Sequence, residues 1–148
     1  MSELNRREFV AVAAAACASC MMGRTAWAAE PGPVDAGPIG DYKADGVFDT
    51  FAKSHGFLLV RRDGRLYAPT STCTHKSQLV LPNAEAGNLV CTMHGSTFSL
   101  EGRVIKGPAT LPLPRFGISL DARQHVIVDT SRRFIQAQWN QAGAFIKV

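Results

Sequence analysis

Gly56-Phe-Leu-Leu-Val-Arg-Arg-Asp-Gly-Arg-Leu-Tyr-Ala-Pro-Thr-Ser-Thr-Cys-Thr-His75 is the stretch on which the fold turns. An apolar run from Phe57 to Val60 meets Asp63-Gly64 and returns through Leu66 to Ala68. Asp-Gly between two such runs is the strongest short-range signal of a β-hairpin, because the tight turn needs positive φ at both central residues. The returning strand ends in Pro69 and polar residues, then delivers Cys73-Thr-His75 into a loop. With fifteen residues between, His75 is followed by a second pair, Cys91-Thr-Met-His94, again just past an apolar segment, Leu89-Val90.

Working outward, Ile118 and Leu120, then Val126 and Val128, alternate around Asp121-Ala-Arg-Gln124 and predict a second hairpin. Ala144 to Val148 reads as a closing strand. Glycines and prolines between Leu100 and Pro114 exclude regular structure for much of that stretch. Asp45 to Lys53 fits either a strand or one helical turn. Residues 29–40 are rich in Pro and Gly and read as a linker or extended entry segment, with the folded domain over 41–148. No internal repeat and no long helical periodicity appears. The pattern is all-β.

A chain of 148 residues corresponds to one domain with a real core. The net charge of +4 is spread along it without a Lys/Arg-rich run, so no nucleic-acid partner is expected. The first thirty residues differ from the rest. Arg6-Arg7-Glu8-Phe9 precedes an apolar stretch that Arg24 closes, and Ala26-Trp27-Ala28 follows as a small-x-small cleavage site. That order predicts a secretory signal over residues 1–28, and the paired arginines point to twin-arginine export to the periplasm. The apolar run is shorter than the roughly 20 residues a membrane-spanning helix needs, so membrane contact is expected only if the leader is retained.

Cleavage after Ala28 removes Cys17 and Cys20 and leaves Cys73 and Cys91. An exported pair of cysteines ordinarily forms a disulfide, but that leaves His75 and His94 idle. A structural zinc site would use all four donors. A two-iron, two-sulfide centre uses them differently, with two cysteines on one iron and two histidines on the other. The pairs mix one Cys with one His each, which suits that last arrangement. All three readings stand on spacing alone.

The chain resembles the Rieske family, in which Cys-x-His is followed by a spacer of this length and then Cys-x-x-His. The resemblance extends from about Val34 to the C-terminus. It includes Gly95-Ser-Thr-Phe98, Gly102-Arg103 and Gly107-Pro-Ala109 after the second pair. It implies an antiparallel β-sandwich with a small cluster-binding subdomain formed by two loops. It also implies one [2Fe–2S] cluster, with Cys73 and Cys91 on the inner iron and His75 and His94 on the outer, and Pro108 helping to cover it. Ser96 matches a serine that bonds a bridging sulfide in respiratory members, whereas Phe98 replaces a tyrosine that bonds a cysteine sulfur. Gln78 and Met93 stand where those members carry a loop disulfide, so the chain resembles the ferredoxin-type domains that lack it.

The function so implied is one-electron transfer in an exported protein, with a cytochrome or the large subunit of an oxidoreductase as redox partner. Membership of a larger periplasmic enzyme, as the small subunit of arsenite oxidase, is the alternative, and a structural zinc module a further one. No Ser-His-Asp, paired-carboxylate or phosphate-loop pattern occurs, so no catalytic residue of the chain's own is expected. His55 and His125 lack a sequence neighbour to work with and read as surface or strand residues. Arg61, Arg62 and Arg65 read as a solvated hairpin tip, Lys76 as a loop residue beside a ligand, and Phe134 and Trp139 as core.

Overall fold

The computed structural model describes residues 30–148. The leader-type segment, with its paired arginines, its cleavage site and Cys17 and Cys20, lies outside the described residues. Eleven strands follow in chain order: β1 (Pro33–Pro38), β2 (Gly46–Phe48), β3 (Leu59–Arg62), β4 (Arg65–Pro69), β5 (Val80–Asn83), β6 (Asn88–Cys91), β7 (Thr97–Phe98), β8 (Val104–Lys106), β9 (Arg115–Leu120), β10 (His125–Phe134) and β11 (Ile146–Lys147). The strand pairs are antiparallel throughout. Among the described residues the only helices are two short 3₁₀ turns, and none is long and apolar enough to cross a membrane.

The larger sheet runs β1-β10-β9-β4-β3-β2, with β11 added beside β4. Strand β4 is the pivot of the sandwich. Arg65 to Tyr67 pair with β3 and β11, whereas Ala68 and Pro69 pair with β9. One strand thus belongs to both layers, and Leu59, Leu66, Phe116, Ile118, Val126 and Val128 are buried together between them. The hairpin at Asp63-Gly64 forms as its sequence requires, with φ of 51° and 70° at the two turn residues.

A four-stranded sheet, β5-β6-β7-β8, carries the second core. Leu58 packs there with Val80, Leu89, Phe98 and the two cysteines, while Phe57 and Leu59 face the first core. This explains why Phe57 to Val60 is apolar without alternation: both faces of that segment are buried.

Several expectations are corrected. The Pro/Gly-rich stretch 29–40 is not a linker throughout, because Pro33–Pro38 form β1, with Val34 opposite Val128 of β10. An edge strand tolerates prolines, since it needs partners on one side only. Within Asp45 to Lys53, Gly46–Phe48 form β2 and a turn follows. Arg61 is not a solvated tip: its guanidinium donates to the Tyr42 carbonyl and lies 3.7 Å from Asp45. Phe134 and Trp139 are buried as expected, but with Ala144 they make a small cluster of their own.

His125 also has a partner ninety residues away, with Nδ1 3.0 Å from both carboxylate oxygens of Asp35. Arg123 reaches the same carboxylate at 3.1 Å, so these groups fasten edge strand β1 to β10. The His125 contact, helped by the Gly37 N–H, holds the Asp35 carboxyl below its ordinary value. A depressed carboxyl contributes stability above its unfolded value of about 3.9 and loses it as pH falls through the folded one. Asp35→Asn is therefore expected to lower the melting temperature near neutral pH and to flatten its acid limb below about pH 4. Melting curves across that range check this.

Candidate metal centre

The two Cys/His segments fold into the same turn. In each, the cysteine N–H donates to the carbonyl five residues on, Cys73 to Gln78 at 2.7 Å and Cys91 to Ser96 at 2.8 Å. In each, the cysteine carbonyl accepts from the N–H four residues on, Ser77 at 2.9 Å and Gly95 at 3.2 Å. That fourth residue is left-handed in both, with φ of 53° at Ser77 and 71° at Gly95. Glycine reaches this conformation without steric cost, while Ser77 is held there by the bonds on either side of it.

The strands bring the turns face to face. Val80 of β5 lies opposite Cys91 of β6, and the Leu79 carbonyl accepts from both the N–H and the hydroxyl of Thr92, at 2.9 and 3.0 Å. These bonds tie the loops together. Gln78 and Met93 lie on the two loops, and both cysteines are free thiols.

The donors separate into two pairs. Cys73 and Cys91 are buried against Leu58, Val80, Leu89 and Phe98. His75 and His94 are exposed, their ring centroids 5.2 Å apart in an edge-on arrangement. Burial pushes the Cys91 thiol up, but the Met93 and His94 N–H groups and the Cys73 thiol outweigh it, leaving Cys91 below the usual thiol value. The same N–H groups suit a thiolate sulfur bound to metal. Among the described residues, no three Cys, His, Asp or Glu side chains surround a single ion position. Two thiols inside and two imidazoles outside fit a centre with two metal atoms.

A third loop closes over the pair, held by one hydrogen bond to each. The Ala109 N–H donates to the Ser96 hydroxyl at 2.9 Å, and the Thr74 hydroxyl donates to the Leu111 carbonyl at 2.6 Å. Ser96 is fully buried and Ala109 nearly so. Pro108 sits in this loop next to Ala109, which packs in the buried cluster with the cysteines. Phe98 is fully buried with the cysteines. Thr74 and Thr92 escaped sequence reading. Each sits directly after a cysteine, and that position is the one hint their neighbours offered. His55 and Lys76 stay outside the donor set; the His55 ring lies 5.7 Å from that of Phe51.

Residues 32–117 match the Rieske [2Fe-2S] domain family. Among curated relatives, a chloroplastic cytochrome b6-f complex iron-sulfur subunit of Nicotiana tabacum is 35% identical over 88 residues, covering 56% of this chain and 39% of that protein. The corresponding subunit of Chlorobaculum tepidum is 30% identical over 70 residues, covering 47% of this chain and 39% of that protein. The match thus spans well under half the length of either. A solved plasma-membrane Rieske protein from the cyanobacterium Synechocystis superposes with a TM-score of 0.51 at 29% identity, covering 65% of this chain and 98% of that one. A chain from the oxygenase–ferredoxin complex of carbazole 1,9a-dioxygenase superposes at 0.50, covering 70% of this chain and 97% of that one, and at 18% identity shows likeness of fold. With one [2Fe–2S] cluster as its cofactor, the chain belongs to the Rieske [2Fe–2S] domain family.

Proposed function

We propose that Cys73 and Cys91 hold the inner iron, that His75 and His94 hold the outer one, and that the protein carries single electrons in the periplasm. The observation that carries this reading is the two-by-two sorting of donors, buried thiols against exposed imidazoles. When bound, the cluster supplies reversible one-electron exchange, and neutral imidazoles in place of two thiolates make it easier to reduce. The chain's own residues do the rest. Buried thiols and apolar neighbours keep water from the sulfur side, and the exposed imidazoles give an electron a short path to a partner. Metal analysis tests the ligand set: two irons and two sulfides per chain are expected, and one zinc with no sulfide would contradict it.

Ser96 and Phe98 are the tuning residues in this reading. The Ser96 oxygen accepts from Ala109, which leaves its own proton free to donate toward sulfur. Such a donor raises the potential, and Phe98 has none to offer. Ser96→Ala is expected to lower the potential and, by orphaning the buried Ala109 N–H, to cost about 1–3 kcal/mol of stability. Potentiometric titration and thermal unfolding measure the two effects separately.

Export by the twin-arginine route suits a protein that takes up its cluster before crossing the membrane. Expected in the periplasm is a mature chain beginning at Ala29; a cluster-bearing chain confined to the cytoplasm would overturn this. The partner is a redox protein, either a cytochrome or the large subunit of an oxidoreductase, rather than nucleic acid. The b6-f relatives are named as subunits of a complex, and this favours a second reading, in which the chain is the electron-transfer subunit of a larger periplasmic enzyme, as in arsenite oxidase. Co-purification with such a subunit separates the two.

A further inference from the structure

Away from the cluster loops, a cavity of about 340 Å³ opens between the first hairpin, β9 and the segment after β10. None of its lining residues belongs to the loops that carry Cys73, His75, Cys91 and His94. Arg115 forms its floor and is 4% exposed. The guanidinium carbon sits 3.8 Å from the Tyr67 ring centroid and 4.3 Å from that of Trp139, so the cation is clamped between two aromatic faces. Its Nη2 donates to the Glu101 carbonyl at 3.1 Å.

The donors here outnumber the acceptors. Arg115 Nε, the Tyr67 hydroxyl and Trp139 Nε1 are all buried without a hydrogen-bond partner among the described residues. Buried polar groups ordinarily have partners, so three orphans on residues beside one cavity are unusual. Arg62, Arg65 and Arg103 also line it, against the carboxylates Asp63 and Glu101. Arg62 uses both carboxylates, at 3.4 and 3.3 Å, and Arg65 bonds the Asn140 side chain. Four guanidiniums against two carboxylates leave an excess of two positive charges. Burial pushes Arg115 down to about 10, so at neutral pH it keeps its charge.

We propose that this cavity is a binding site for a small free oxyanion, one bearing a phosphate or carboxylate group, held by Arg115 and Arg103 beside the rings of Tyr67 and Trp139. Planar guanidiniums fork onto both kinds of oxyanion. The cavity has room for a metabolite-sized anion, and its lining is mostly polar, with the rings of Tyr67 and Trp139 on two sides. Occupancy would brace the hairpin tip against the segment after β10 without touching the metal centre.

Titration of the full-length, cluster-loaded protein with inorganic phosphate and, separately, succinate tests this by calorimetry. Ionic strength is held constant with sodium chloride. Saturable binding of one anion per chain is expected, and whichever of the two binds more tightly identifies the headgroup. Arg103→Gln is expected to weaken it about tenfold or more, the scale on which a charge-assisted hydrogen bond acts. This variant should retain the cluster's visible spectrum. Arg103 is exposed, so its loss leaves the fold in place. Heats no larger than those of chloride for both anions, or binding unchanged in Arg103→Gln, would overturn the proposal.

Discussion

Replacing Cys73 with serine is expected to abolish cluster assembly, with iron content falling at least about tenfold below that of the unaltered protein. Losing an outer-sphere partner of a metal ligand costs about 10–100-fold in affinity, and losing a ligand costs more. A serine hydroxyl is also a poor substitute for a soft thiolate. Cys73 is 2% exposed and packed among apolar side chains, so no solvent-borne donor can replace it. The backbone turn does not depend on sulfur: the Cys73 N–H still reaches Gln78 and its carbonyl still accepts from Ser77. The variant should therefore keep the far-ultraviolet dichroism of the β fold and lose the visible absorption of the cluster. Iron and sulfide analysis beside those two spectra checks it.

The largest expected effect on stability comes from Phe98→Ala. Phe98 is fully buried and stands opposite Leu89 on a strand of only two residues, so its ring does most of the work of holding β7 to the second core. Truncating such a phenylalanine costs about 3–5 kcal/mol, which for a domain of this size lowers the melting temperature by roughly 10–20 °C. The damage should not stop at stability, because Cys73 and Cys91 belong to the same buried cluster. Faster loss of iron to a chelator is expected alongside the lower midpoint. Ile105→Ala, at a side chain 61% exposed, is the control and should stay within about 0.5 kcal/mol of the parent.

What was legible in the sequence was local. Asp63-Gly64 announced its hairpin because few residues take positive φ in succession, and Val126 and Val128 announced theirs by alternation. The Cys/His pairs were legible because four soft and borderline donors at such spacing have few uses. What stayed hidden depends on contacts between distant residues. Pro33 to Pro38 is a strand by virtue of β10, and read alone its prolines argue for a linker. His125 seemed idle because Asp35 lies ninety residues earlier. The clasps from Thr74 to Leu111 and from Ala109 to Ser96 join loops that only the folded sheet brings together. The likeness of the two cysteine turns was hidden for another reason: it lies in their backbone hydrogen bonds, while their histidines stand two and three residues after the cysteine.

Electron paramagnetic resonance of the dithionite-reduced, full-length protein tests the central claim most directly, because the spectrum reports the ligands of the iron that receives the electron. Two imidazoles on that iron predict a rhombic signal with a low average g, present in the parent and lost in His94→Ala. A silent sample that contains zinc, or a signal unchanged by removing His94, would contradict the assignment of Cys73, His75, Cys91 and His94 to one [2Fe–2S] centre.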